Sequence, residues 1–128
     1  MIKTKIQIKG YIYNKSEKTK TNIEEKGIKI KNKITYYEDD IKTNIIINKE
    51  ELIIKRENNE FLNLIKLNIE KETDIIYYLK DQDLSINLPI RTKYIKLEDN
   101  IIEVKYKMLD SNSEYIYRIE IKELYRNK

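Results

Sequence analysis

Between Asn100 and Glu123 the chain alternates apolar and polar residues on both sides of a short polar break. Ile102, Val104, Tyr106 and Met108 are interleaved with Glu103, Lys105 and Lys107. After Asp110-Ser111-Asn112-Ser113 the pattern resumes with Tyr115, Tyr117, Ile119 and Ile121 against Arg118, Glu120 and Lys122. Successive side chains of a strand point to opposite faces, so this period of two describes a β-hairpin with one apolar and one wet face. A hairpin alone is marginal in water, and its apolar face demands more sheet.

The rest of the chain supplies that sheet in the same pattern. A first strand is predicted from about Ile2 to Tyr13, with Ile2, Ile6, Ile8 and Ile12 on one face and Lys3, Lys5, Gln7 and Lys9 on the other. Gly10 marks a bulge or a close backbone approach within it, and Gly27 a kink in a second strand over 20–30. Further strands are expected over 34–39, 43–48, 52–57, 64–70, 74–79, 84–92 and 94–98, joined by polar turns such as Lys31-Asn32-Lys33 and Asn58-Asn59-Glu60. Glu50 to Leu67 can also be drawn as an amphipathic helix, but the central Asn58-Asn59 favours a turn and hence a hairpin.

Composition agrees. The chain has 26 Ile and 11 Tyr but no Ala, one Pro and two Gly, a balance suited to pleated, half-buried surfaces. Its 128 residues suit a single domain, with the sheet over residues 1–123 and a frayed tail over 124–128. Many strands in so small a domain create unpaired edges unless the sheet closes on itself. The expected fold is therefore all-β, a single closed antiparallel up-and-down β-barrel of about eight to ten strands.

The order of these segments resembles that of the YwiB-like family of small bacterial proteins of unknown function. The resemblance is carried by Lys3-Thr4-Lys5-Ile6-Gln7-Ile8-Lys9, Glu25-Lys26-Gly27, Tyr36-Tyr37-Glu38-Asp39, Leu52-Ile53-Ile54-Lys55-Arg56 and Ile101-Ile102-Glu103-Val104-Lys105-Tyr106 with the last strand. It implies a calycin-like (lipocalin-like) barrel over nearly the whole chain and names no activity. The chain departs from the family at Leu79-Lys80-Asp81-Gln82, where a Thr-Pro-Tyr-Gly-like turn is usual.

Most enzyme chemistry is excluded by residue type. With no His and no Cys, the usual general base, the common zinc ligands and the thiol nucleophile are missing. Two glycines cannot build a phosphate-cradling loop. Asp81, Asp83 and Ser85 have the spacing of a calcium loop but lack its glycine and its closing glutamate, position 92 being Thr. A non-enzymatic protein without cofactor or metal is expected.

What remains is an interior constellation. If Ile34 and Tyr36 face inward, parity carries Glu38 inward with them, and Leu52 and Ile54 carry Arg56. Glu38 and Arg56 can close one barrel end as an ion pair or orient the polar group of a ligand between them. Tyr36, Tyr77, Tyr106, Tyr115 and Tyr117 share the inward parity, either as the wall of a cavity or as packed filling. The ligand-binding candidates are Tyr36, Glu38, Arg56, Tyr77, Tyr106 and Tyr117, and the expected partner is a small, partly apolar molecule.

The rival surface is the outer one. Lys3, Lys5, Lys9, Tyr11 and Tyr13 share a face of the first strand and mix cations with stacking rings, as single-strand RNA binders do. Yet acidic residues are interleaved and the net charge is only +4, so nucleic acid is the lesser expectation and a protein partner stands beside it. No stretch has the length or apolarity of a membrane span or of a signal peptide. The absence of Cys suits a reducing compartment, so a cytoplasmic monomer or homodimer is expected.

Overall fold

The computed structural model describes residues 3–124. Ten strands follow in order: β1 (Lys3–Asn14), β2 (Thr19–Ile30), β3 (Lys33–Glu38), β4 (Ile41–Ile47), β5 (Leu52–Glu57), β6 (Phe61–Leu67), β7 (Thr73–Leu79), β8 (Leu84–Glu98), β9 (Ile101–Met108) and β10 (Glu114–Glu123). Every strand pairs antiparallel with its sequence neighbours, and β1 pairs with β10 from Ile6–Glu123 to Asn14–Tyr115. The result is one closed up-and-down barrel, with no helix long and apolar enough to cross a membrane among the described residues.

Alternation decides what the barrel encloses. Ile6, Ile8, Ile34, Ile45, Ile54, Ile90, Val104 and Ile119 are fully buried, and each stands on the apolar parity of its strand. A β-branched core of this kind suits strands with one dry face. Ile2 lies outside the described residues, as does 125–128. Leu124, assigned to the frayed tail, still donates its amide to the Lys5 carbonyl at 2.9 Å, so the β1–β10 edge holds one residue past β10.

Other sequence expectations shift. The strands over 84–92 and 94–98 are one strand, β8, whose register slips between Thr92 and Tyr94. That bulge swaps inward parity from even to odd positions, which made one strand read as two. β6 starts three residues earlier than the pattern suggested, at Phe61. Gly10 carries no bulge, since both of its ladders run through it without a break. It marks a close approach instead: a Cβ there would lie 1.9 Å from the Arg118 carbonyl oxygen.

With both glycines inside strands, the turns use other residues for left-handed backbone. Lys18, Lys31, Asp39, Asp83, Asp99 and Asn112 all have positive φ, one in each of six hairpin connections. Asp and Asn tolerate that region better than other non-glycine residues. At the departure from the family pattern, Lys80 fastens the barrel end: its amide bonds to the Glu60 carbonyl at 2.9 Å and its ammonium donates to the Asn58 carbonyl at 2.7 Å. Burial raises the Glu57 carboxyl there, but Lys55 and Lys80 outweigh it and hold it below its ordinary value.

Candidate functional site

The registers of β3 to β7 set five inward side chains in one row. Tyr36 stands opposite Thr43, Thr43 opposite Arg56, Arg56 opposite Asn63, and Asn63 opposite Tyr77. Buried Ile34, Ile45, Ile54, Ile65 and Ile75 lie two positions along the same strands, which fixes the row on the interior face. Directly opposed residues have Cβ atoms roughly 4.5–5.5 Å apart, so these are neighbouring side chains.

Glu38 closes the row at the end of β3. Its Oε1 lies 3.5 Å from Arg56 Nη2, and the two side chains are 25% and 26% exposed. The β2–β3 ladder stops at Gly27–Tyr36, so β3 continues beyond it to Glu38 bonded only to β4. The barrel interior reaches solvent there. The pairing of Glu38 with Arg56 expected from strand parity is thus present, and it lies at a partly open barrel end.

Deeper in, the Tyr36 and Tyr117 hydroxyls meet at 2.6 Å, and either can donate. Burial is the main cause that pushes Tyr117 well above its ordinary value, with Tyr36 and the Glu38 charge adding to it and Arg56 opposing. Tyr36 is raised as well, chiefly by burial. Both phenols are neutral at neutral pH.

Three polar atoms of the row lack a hydrogen-bond partner although buried: Thr43 Oγ1, Arg56 Nε and Asn63 Oδ1. Thr43 is wholly buried, and its hydroxyl lies beside that of Tyr36 without hydrogen-bond geometry. An unsatisfied buried donor or acceptor costs about 1–3 kcal/mol, and nearly all such groups in native proteins are paired. Three of them on consecutive strands form one polar cluster on the interior face.

The other candidates divide. Tyr77 borders the cluster and stacks on Phe61 with centroids 5.9 Å apart and planes 6° from parallel. Tyr106 is not part of the cluster: it is buried against Tyr115 at 5.4 Å, and Tyr115 accepts a hydrogen bond from Asn14. Burial drives the Tyr106 phenol far up. A hollow of about 210 Å³, lined by Ile47, Leu52, Ile69, Ile95 and Leu97 and rimmed by the polar turn 48–51 and Glu70, lies at the opposite barrel end from Arg56.

The outer face has its own order. Lys9 stands between Glu24 and Glu120 in the register, and the Lys20 ammonium sits 4.5 Å over the Tyr11 ring. Arg118 bonds Glu103 at 2.8 Å and Glu120 at 3.1 Å, while the Tyr94 hydroxyl donates to Glu103 at 2.6 Å. Burial, followed by that hydrogen bond, pushes Tyr94 up to about 12. Among the described residues no group of three or more acidic side chains is placed to hold a metal ion.

Thr43 and Asn63 were missed in the sequence. Thr43 has inward parity with Ile45 and Ile47, a signal that was there to be read. Asn63 was hidden because apolar Leu62 and Leu64 flank it, which blurs the alternation and draws the strand start past it.

Fold and site together define a small ten-stranded antiparallel barrel with a polar cluster at one end of an apolar interior. The solved structure of the ywiB protein from Bacillus subtilis is similar: the TM-score is 0.72 over 96% of this chain and 94% of that one, at 18% sequence identity. That likeness is one of fold, and it meets the barrel expected from the YwiB-like resemblance. No family model matches the sequence, and no curated protein matches it.

Proposed function

We propose that this chain is a YwiB-like, calycin-type binding protein, not an enzyme, that takes the polar end of a small, partly apolar molecule into the barrel beside Arg56. The observation that carries the reading is the row of orphaned atoms on Thr43, Arg56 and Asn63. Glu38 holds one edge of the guanidinium, Tyr36 and Tyr117 form the floor, and Tyr77 with Phe61 offers a flat wall. A ligand that satisfies these groups gains the hydrogen bonds the protein forgoes by itself.

The outer strands are a weaker platform for RNA, because Lys9 is flanked by carboxylates and Tyr11 is already covered by Lys20. The test is native mass spectrometry of protein purified from a bacterial host under gentle desolvation. A small co-purifying mass that is absent from a folded Arg56→Met variant supports the socket. Wild-type protein that is free of any adduct, yet binds RNA with a steep salt dependence, overturns it.

A further inference from the structure

The three orphans differ in kind, and with the proposed socket as the starting point that difference selects a class of ligand. Arg56 Nε–H only donates, Asn63 Oδ1 only accepts, and the Thr43 hydroxyl does either. Arg56 and Asn63 are directly opposed on β5 and β6, so their side chains are neighbours on the interior face. A matching head group carries an acceptor next to an N–H or O–H donor.

Charge narrows the class. The guanidinium is already offset by Glu38, whose Oε1 lies 3.5 Å from Nη2. A carboxylate ligand would bring a second negative charge against Glu38 and present acceptors alone. Turning the Asn63 amide over would answer the second objection but not the first. A neutral carboxamide or lactam satisfies both: its carbonyl accepts from Arg56 Nε–H, and its N–H donates to Asn63 Oδ1. Tyr77 lies opposite Asn63 on the next strand, its ring parallel to Phe61, and both rings are only partly buried. A flat ring attached to the head group meets that aromatic wall.

We infer that the socket selects a neutral aromatic or heteroaromatic carboxamide or lactam over the carboxylate of the same shape. The test needs no variant at the site. Protein labelled with ¹⁵N in arginine gives four Nε–Hε signals, and R91K, R118K and R126K identify that of Arg56 by elimination. Wild-type protein is then titrated separately with benzamide and benzoate.

Benzamide is expected to shift the Arg56 signal saturably, with an affinity roughly tenfold or more above that of benzoate. Equal or tighter binding of benzoate, read at the same signal, overturns the neutral head group and leaves the socket standing. No movement of the Arg56 signal with either compound at millimolar concentration overturns the socket itself.

Discussion

The hydroxyls of Tyr36 and Tyr117 lie 2.6 Å apart, although β1 and β2 separate their strands around the barrel wall. The bond therefore spans the interior, tying β3 to β10 through the lumen instead of along the sheet. Removing one hydroxyl leaves its partner buried and unpaired. Tyr36→Phe or Tyr117→Phe is expected to cost about 1–3 kcal/mol in chemical denaturation. The double variant should cost less than the sum, since no orphan remains; strict additivity would show that the two hydroxyls are not coupled.

Alkaline pH tests the same interior from another side. Tyr36, Tyr94, Tyr106 and Tyr117 all have raised pKa values, with burial the first cause in each. A group that binds its proton more tightly when folded contributes stability below its unfolded pKa, and that contribution is lost as pH rises toward the folded value. Stability should thus be flat up to about pH 10, the unfolded tyrosine value, and fall above it. In a spectrophotometric titration, part of the signal from the eleven tyrosines should appear only as the circular dichroism of the sheet collapses. Complete ionisation with the fold intact would mean that the interior is wet.

Gly10 and Gly27 are expected to tolerate alanine poorly, and unequally. A Cβ at Gly10 would meet the Arg118 carbonyl oxygen at 1.9 Å and its carbon at 2.8 Å, all backbone of the paired strand. At Gly27 the nearest backbone atom is the Thr35 oxygen at 2.5 Å, a milder clash, and the next neighbours are Ile8 Cδ1 at 3.0 Å, which can give, and Tyr36 Cβ at 3.1 Å. Gly10→Ala should cost about 3 kcal/mol or more in urea unfolding, and Gly27→Ala less. The reverse order would show that β10 yields more readily than β3.

How much of this was legible in the sequence depends on what alternation can encode. Period two gave the barrel and the inward parity of Tyr36, Glu38 and Arg56, because a strand with one dry face must repeat its apolar residues there. It could not give the bulge in β8, which interrupts the period between Thr92 and Tyr94. Nor could it give the lateral neighbours: that Thr43 and Asn63 flank Arg56 is a matter of register, set by the turns at 48–51 and 58–60, neither of which carries a left-handed residue to mark it. Parity assigned Tyr106 to the same face as Tyr117 but could not say that it packs against Tyr115, away from the socket.

On the outer face, Glu103 accepts from Tyr94 and from Arg118, and these bonds hold its carboxyl below the ordinary value. A depressed carboxyl contributes stability above its unfolded pKa, and the contribution disappears as pH falls through the folded value. Glu103→Gln should be less stable than wild type by about 1 kcal/mol at neutral pH. The gap should narrow as pH drops below 4.5, where the wild-type carboxyl begins to protonate in the unfolded chain. A gap independent of pH would assign the effect to packing.

Thr43 separates binding from folding most cleanly. Its side chain is wholly buried and its hydroxyl has no partner, so for folding alone the hydroxyl is a burden. Valine has the same shape and no polar atom, and its β-branching suits the strand. Thr43→Val should therefore leave the fold intact and raise stability by about 1 kcal/mol, the sign opposite to that of most buried substitutions. The same change removes one of the three unpartnered groups of the proposed socket, so the adduct expected on wild-type protein should weaken or vanish as the melting temperature rises. A stabilised variant that keeps its ligand would take Thr43 out of the site; a destabilised one would mean that the hydroxyl is satisfied in solution by Tyr36 beside it.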